Sequence, residues 1–192
     1  MGLRVTGGQL RGRGLVSPRG RAIRPTSARV RESLFSILGQ DLSGYAVLDL
    51  FAGAGTFGVE AASRGASSVV FVEQDRRHAR TTAENAVLAE ELAEVSVLVM
   101  SADRALQKLA REGRQFDLVF LDPPYGVDLA RTTLEQVADL GGDLLSAQAR
   151  VVIESDEREE LPVTAGALVR DARERRYGTT RLSFYQEEGA AS

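Results

Sequence analysis

The apolar residues of this chain fall into short runs that alternate with longer stretches of helical periodicity. The run at 69–72 is apolar on both faces, which is typical of a central strand in a parallel sheet, and the run at 47–50 has the length of a short buried strand. The pattern predicts strands at 47–50, 69–72, 95–100, 118–121 and 150–153, and helices at 56–64, 76–92, 103–112 and 128–140. Because strands and helices alternate, the expected fold class is α/β with a doubly wound sheet.

The pattern differs toward the C-terminus. Apolar segments at 168–169 and 182–185 predict two further strands with no helix between them, and Gly178 marks a turn. Two strands without a crossover helix pair antiparallel, so an antiparallel pair should close one edge of the sheet.

Toward the N-terminus, residues 3–16 alternate weakly around a Gly-Gly pair, which predicts a small β-hairpin. A helix should follow, with Thr26 or Ser27 as its N-cap and Gly39 at its end. These boundaries divide the chain into a basic N-terminal arm at 1–24, a main domain at 25–188 and a disordered tail at 189–192.

The composition limits the classes of function. Hydrophobic residues make up 43% and charged residues 27% of the chain, as in ordinary globular proteins. No apolar run approaches the ~20 residues that span a bilayer, and the first residues lack the apolar centre of a secretory signal. The chain has no cysteine and one histidine, His78, so disulfides and zinc sites of the usual His/Cys type are excluded. We expect a cytoplasmic protein, monomeric by default, without a metal.

The charge is unevenly distributed. The first 31 residues hold eight arginines and no acidic residue, which leaves 16 of the 24 basic residues and all 27 acidic residues in the rest of the chain. A basic segment on an acidic body is typical of a phosphate-binding arm, although a solvated basic tail would have the same composition.

A glycine-rich loop follows the first predicted strand. Gly53, Gly55 and Gly58 match the pattern G-x-G-x-x-G, which allows a tight turn and lets a ligand lie against bare backbone. Glu73, at the end of the next strand, is suited to accept hydrogen bonds from two ribose hydroxyls. The pattern alone does not separate a dinucleotide from S-adenosylmethionine. Asp49 favours the latter, because a carboxylate would repel a pyrophosphate and attract the amino group of a methionine moiety.

A second motif, Asp122-Pro123-Pro124-Tyr125, follows the strand at 118–121. The exocyclic amine of a purine is a poor nucleophile, because its lone pair is delocalised into the ring. The Asp122 carboxylate and the Pro123 carbonyl can accept its two N–H bonds, aim the lone pair at a methyl donor and stabilise the charge that develops on nitrogen. Pro124 lacks a competing N–H, and Tyr125 offers a flat face for an extruded base.

These motifs resemble a known family. The segments that carry the likeness are GGQLRGRGL, RPTSARVRESLFSIL, LDLFAGAGTFGVEAASRGA, VEQD, FDLVFLDPPY and RRYGTTRLSFY. Together they are similar to the RsmD-type enzymes, which methylate guanine N2 in bacterial 16S rRNA. The resemblance implies a Rossmann-like methyltransferase fold, with a doubly wound seven-stranded sheet whose last strand is antiparallel and a small N-terminal β-hairpin arm.

The resemblance also implies site residues and partners. The expected S-adenosylmethionine contacts are Thr26, Asp49, Phe51, Gly53, Ala54, Gly55, Glu73, Gln74 and Asp103. The expected catalytic residues are Asp122, Pro123, Pro124 and Tyr125, which would hold the guanine. The expected RNA contacts are Arg4, Arg11, Arg13, Arg21, Arg24, Arg29 and Arg31. The expected substrate is 16S rRNA, within a 30S particle or an assembly intermediate.

Three alternatives remain open from the sequence. The motif at 122–125 also serves amino methylation of other bases, DNA adenine included. A NAD-linked oxidoreductase would use a similar glycine loop, but Asp49 and the Asp-Pro-Pro-Tyr motif argue against it. A non-catalytic RNA-binding assembly factor could retain the same fold.

Overall fold

The computed structural model describes residues 2–17, 27–125 and 128–188. The chain divides into two compact units, Met1–Ser101 and Ala102–Ser192. Neither unit contains, among the described residues, a helix long and apolar enough to cross a membrane.

The first unit opens with the predicted arm, which forms a compact loop closed by one antiparallel bridge between Arg4 and Gly14. Backbone hydrogen bonds run from Val5 N to the Arg13 oxygen at 3.0 Å and from Leu15 N to the Leu3 oxygen at 2.8 Å. The Val5 and Leu15 side chains are buried. The described part of the arm therefore packs into the first unit. It is not a solvated tail.

Helix α1 (Ala28–Leu38) follows the arm and begins as the sequence predicts. The Ser27 hydroxyl accepts a hydrogen bond from Val30 N at 3.3 Å, and Gly39 ends the helix with φ 104°. Leu34 and Phe35 are fully buried, and the Phe35 ring stacks on Phe57 of the next helix with centroids 5.3 Å apart. Aromatic stacking at this distance fixes α1 against its neighbour.

Three parallel strands form the sheet of the first unit. They are β1 (Ala46–Asp49), β2 (Ser68–Val72) and β3 (Glu94–Leu98), in the order β3-β2-β1. Helices α2 (Thr56–Ser63) and α3 (Arg76–Ala86) connect them. The sequence predicts a longer second connecting helix, to residue 92; instead a short 3-10 turn at Val87–Ala89 leads the chain into β3, whose first residue donates to the Ser67 oxygen at 2.9 Å.

The second unit begins with helix α4 (Ala102–Arg111) and strand β4 (Phe116–Leu121), followed by α5 (Leu129–Leu140) and β5 (Leu145–Asp156). The two strands are parallel, with Leu121 opposite Ile153. This continues the alternating α/β pattern of the first unit.

The chain ends in antiparallel strands. They are β6 (Thr164–Ala165), β7 (Leu168–Arg170), β8 (Arg175–Tyr177) and β9 (Thr180–Glu187). β9 pairs antiparallel with β5, β7 and β8, and β6 pairs with β7. The predicted antiparallel pair at 168–169 and 182–185 is confirmed. The short strands β6 and β8 have no separate signal in the sequence, because two or three residues are too few to show a period.

Candidate functional site

The glycine loop lies between β1 and α2 in the first unit, as predicted. Gly55 has φ 72° and is the N-cap of α2, a conformation that residues with a side chain rarely adopt. Gly55 N donates to the Ala52 oxygen at 2.6 Å, and Ala52 N donates to the Val72 oxygen at 2.9 Å. These bonds hold the loop tightly at the carboxyl ends of β1 and β2.

Gly58 allows α2 to lie close to the sheet. A Cβ at this position would be 2.2 Å from Cε1 of Phe71 and 2.8 Å from Cγ1 of Val69. A Cβ added at Gly53, in contrast, would meet nothing closer than the Phe51 oxygen at 4.0 Å. The third glycine is therefore required by packing, whereas the first leaves open backbone that a ligand can approach.

Asp49 ends β1 and is 2% exposed. Its Oδ2 accepts a hydrogen bond from Gly58 N at 3.1 Å, which satisfies an N–H in the first turn of α2. Burial raises the pKa of the Asp49 carboxyl to about 7, against the lowering effect of the Gly58 bond, and the charge of Glu73 raises it further. A cationic group beside Asp49 would offset this burial and favour the ionised form.

Glu73 follows β2 and joins two segments of backbone. Its Oε2 accepts from Gly53 N at 2.9 Å, and its Oε1 accepts from Asp75 N at 2.8 Å. Each carboxylate oxygen has a second lone pair, so both can accept a further hydrogen bond, for example from a ribose hydroxyl. Gln74, next in the chain, is exposed.

Two residues of α3 that the sequence analysis did not assign to the site hold the glycine loop from its other side. The Thr82 hydroxyl donates to the Gly53 oxygen at 2.7 Å, and Nδ2 of Asn85 donates to the Ala54 oxygen at 2.8 Å. Both residues are buried. The two residues are three positions apart, which puts two short polar side chains on one buried face of a helix. This spacing is the feature of the sequence from which they could have been predicted.

The remaining predicted cofactor contacts lie in different environments. Phe51 is half-buried and Ala54 is buried, both in the loop. Asp103 is exposed in the first turn of α4, which belongs to the second unit. Thr26 lies outside the described residues.

The Asp-Pro-Pro-Tyr motif directly follows β4 in the second unit. Asp122 is half-buried, Pro123 is buried and Pro124 is exposed. Because Leu121 is opposite Ile153 in the parallel register, Glu154 of β5 is the residue next to Asp122 across the strands. Glu154 is itself 5% exposed, so a second carboxyl group at this end of the strands is buried.

Tyr125 is exposed, at 44% of its full accessible area, and leaves ring surface accessible. Burial raises its pKa to about 12, although its hydrogen bond with Thr180 of β9 lowers it. The carboxylates of Glu154, Asp122 and Asp156 raise the pKa further. The hydroxyl therefore remains protonated at neutral pH, and it ties the end of the motif to the first residue of β9.

Four of the predicted RNA contacts, Arg4, Arg11, Arg13 and Arg29, are exposed in the first unit. Arg21 and Arg24 lie outside the described residues. The prediction for Arg31 is wrong. Its side chain is 1% exposed, and its Nε donates to Oε1 of Glu60 at 2.8 Å, so it cannot reach a phosphate.

Arg31 instead belongs to a buried ion cluster, which consists of Arg31, Glu60 and Arg64. Oε2 of Glu60 accepts from Nη1 of Arg64 at 2.5 Å, and the Arg64 guanidinium lies 4.0 Å from the centroid of the Phe35 ring. Glu60 also accepts from the backbone N and the hydroxyl of Thr6 at 3.0 and 2.6 Å. The cluster thus connects the arm, α1 and α2.

Comparisons relate the chain to known proteins. A family model described as Conserved hypothetical protein 95 matches residues 3–186. Ribosomal RNA small subunit methyltransferase D of Escherichia coli (strain K12) is 36% identical over 186 residues, which are 97% of this chain and 90% of that protein. A solved structure of a hypothetical protein from Thermus thermophilus is 30% identical with a TM-score of 0.79, over 95% of this chain and 98% of that one.

A more distant solved structure shows likeness of fold alone. The SAM-dependent methyltransferase from Agrobacterium tumefaciens is 22% identical, with a TM-score of 0.64 over 88% of this chain and 64% of that one. The α/β methyltransferase fold inferred from the motifs is confirmed by these neighbours. Since the family match extends over nearly the whole sequence, this chain belongs to the RsmD-type family described as Conserved hypothetical protein 95.

Proposed function

We propose that this chain transfers a methyl group from S-adenosylmethionine to the exocyclic N2 amine of a guanine in 16S rRNA. The observation that carries the proposal is the intact Asp-Pro-Pro-Tyr motif at the end of β4, in a chain 36% identical to an enzyme named for methylation of small-subunit ribosomal RNA. We further propose that the substrate is a 30S particle or an assembly intermediate, and that the enzyme acts as a cytoplasmic monomer.

The residues of the glycine loop fit S-adenosylmethionine. The backbone at Gly53 is open to a ligand, and Glu73 has lone pairs left for ribose hydroxyls. Asp49 is a buried carboxyl group whose ionised form would be stabilised by the amino group of the methionine moiety. When bound, the cofactor supplies an electrophilic methyl group on a sulfonium.

The motif at 122–125 would hold the guanine amine and raise its reactivity. The Asp122 carboxylate and the Pro123 carbonyl accept the two N–H bonds, which frees the lone pair for attack and stabilises the developing positive charge on nitrogen. Tyr125 stacks on the base with its exposed ring surface. The amine proton passes to Asp122 or to solvent after transfer. Direct displacement at the sulfonium methyl needs mainly alignment of the amine with the methyl group, and no covalent enzyme intermediate.

The exposed arginines of the arm would provide affinity for the RNA. Arg4, Arg11 and Arg13 lie on the compact loop of the arm, whose backbone is held by hydrogen bonds within the first unit. Phosphate contacts of this kind orient the enzyme on the RNA but carry no base specificity. The choice of guanine must then come from groups that contact the base edge.

Transfer of labelled methyl groups tests the proposal. Purified chain is incubated with labelled S-adenosylmethionine and 16S rRNA, 30S particles or DNA, and the label in each nucleic acid is counted. Label in the ribosomal substrates and none in DNA is the expected result. Label in DNA would support the alternative of a DNA amino-methyltransferase, and cofactor binding without transfer to any substrate would support the non-catalytic assembly factor.

The Asp122→Asn variant, assayed beside the wild-type chain, tests whether the transfer depends on Asp122. It keeps the size of the side chain but loses the charge that stabilises the developing cation, so kcat should fall by about 10²-fold or more, while cofactor affinity is unchanged. A variant with undiminished kcat would exclude Asp122 from the chemistry.

A further inference from the structure

The buried side chain of Asn85 joins two segments that lie far apart in the sequence. Asn85 lies on α3. Its Oδ1 accepts a hydrogen bond from Val16 N at 2.8 Å, and its Nδ2 donates one to the Val16 oxygen at 2.9 Å. The same Nδ2 donates to the Ala54 oxygen at 2.8 Å. Val16 is near the end of the described part of the arm, and Ala54 is the middle residue of the Gly-Ala-Gly loop. One amide group, 2% exposed, therefore holds both segments.

The Asn85 amide fits this position in a single orientation. An asparagine offers one acceptor oxygen and two N–H donors, and all three take part in these bonds. If the amide were reversed, its NH2 group would face the Val16 N–H, and its oxygen would face two carbonyl oxygens. A displacement of the loop at Ala54 therefore disturbs the same group that pairs with Val16.

The arm is also attached to α2, the helix that begins at the glycine loop. Thr6 bonds to Glu60, Leu10 N donates to the Ser63 hydroxyl at 2.9 Å, and Gln9 N donates to the Ser63 oxygen at 2.7 Å. A further bond runs to α1, where Nη2 of Arg31 donates to the Arg4 oxygen at 2.8 Å. The attachments on α2 and α3 thus lead to elements that also fix the loop. Asn85 is the attachment that bonds to the loop directly.

We infer that Asn85 is a positioning residue, which couples cofactor binding at the glycine loop to the pairing of the arm at Val16. The inference rests on the proposed function, because it takes the loop as the cofactor site and the arm as an RNA contact. A cofactor that fixes Ala54 stabilises the pairing with Val16, which lies on the same described arm as the exposed Arg4, Arg11 and Arg13. By linkage, RNA that binds the arm and stabilises this pairing strengthens cofactor binding by the same factor.

Amide hydrogen exchange measured by NMR tests the coupling on the full 20.7 kDa chain. S-adenosylhomocysteine, the product form of the cofactor, is the ligand, and its binding is followed in parallel by calorimetry. At saturation, exchange of the Val16 N–H should slow by about fivefold or more, the lower end of the range for coupled sites. A Val16 N–H that exchanges at the same rate with and without bound ligand would overturn the inference.

Two variants of α3 separate coupling from simple support of the loop. Asn85→Asp has the same size but lacks both N–H donors, whereas Thr82→Val removes the bond to the loop at the Gly53 oxygen and leaves the pairing with Val16 in place. The Thr82 change also removes the bond of the same hydroxyl to the His78 oxygen within α3. Both variants should bind the ligand more weakly. At saturation, the Thr82 variant should retain the slowed exchange at Val16, and the Asn85 variant should lose it. Loss in both variants, or in neither, would contradict a specific role for Asn85.

A pair of arm variants keeps the test independent of α3. Val16→Pro removes the N–H that Asn85 accepts, whereas Val16→Ala keeps the backbone and changes only a 40% exposed side chain. The first should weaken ligand binding several-fold, and the second should leave it unchanged. If the ligand binds normally to Val16→Pro, the inference fails while the proposed function stands. If the wild-type chain binds no ligand at all, both fail.

Discussion

Glu60→Gln should strongly destabilise the chain, because Glu60 is the anion that pairs with both arginines in the buried ion cluster of Arg31, Glu60 and Arg64. Its side chain is fully buried, and those of Arg31 and Arg64 are 1% and 2% exposed. Glutamine keeps the shape of the side chain but removes its charge. The cluster then changes from one net positive charge to two, in a region from which water is excluded.

The magnitude follows from the cost of an unpaired buried charge. Removal of one partner from a buried ion pair typically costs about 3–5 kcal/mol. In addition, the amide NH2 of glutamine faces Nη1 of Arg64, which Oε2 of Glu60 contacts in the native chain. For a chain of this length, about 2–4 °C is lost per kcal/mol, so the thermal midpoint should fall by about 6–20 °C.

Urea unfolding followed by circular dichroism measures this difference in the free energy of unfolding. The control is Glu135→Gln, which removes the charge from the ion pair between Arg131 and Glu135. That pair has a similar distance of 3.0 Å, but its side chains are 52% and 46% exposed. Water replaces the lost partner there, so the midpoint should not change measurably.

A loss of less than about 1 kcal/mol in Glu60→Gln would refute the reasoning, since an uncompensated buried charge costs several times more. An equal loss in the two variants would also refute it, because burial would then not decide the cost. Protease susceptibility gives a second readout. Glu60 accepts from Thr6 of the arm, so cleavage in the arm should be faster in Glu60→Gln than in the control.

Three further predictions concern the ligands. Because burial raises the pKa of Asp49 to about 7, the affinity for S-adenosylhomocysteine should weaken below pH 7, by up to about tenfold per pH unit, and level off above it, where Asp49 is already ionised. Calorimetry of Asp49→Asn should give a flat profile, and an equally steep one would exclude Asp49. Glu73→Gln, which loses the charge and one acceptor, should weaken the same ligand by about tenfold to a hundredfold, and unchanged affinity would remove Glu73 from the ribose site. Arg11→Ala should reduce the slope of log affinity for RNA against log salt concentration by about 0.7 to 0.9, whereas an unchanged slope would mean that Arg11 contacts no phosphate.

The features that could be predicted from the sequence are those with local causes. The glycine loop is visible because its spacing follows from one turn and one close approach: Gly55 has a positive φ, and Gly58 lies against Phe71. The Asp-Pro-Pro-Tyr motif is visible because two prolines end a strand abruptly. The end of α1 at Gly39 follows from the same kind of local rule.

The features that could not be predicted depend on partners far along the chain. Arginine is usually a surface residue, so the sequence gives no reason to expect Arg31 to be buried. Only the fold shows that Glu60, 29 positions later, is its counter-ion. Asn85 pairs with Val16 over 69 positions, and no spacing within α3 indicates that contact. Burial of charge and long-range pairing are set by tertiary packing, which overrides local propensity.

Nucleoside analysis of the methylated product tests the central claim most directly. The chain is incubated with 30S particles that lack its modification and with S-adenosylmethionine, and the 16S rRNA is digested to nucleosides and analysed by mass spectrometry beside an Asp122→Asn reaction. The account predicts N2-methylguanosine in the wild-type reaction and its absence with the variant. N6-methyladenosine, or a methylated nucleoside formed equally by both enzymes, would contradict it.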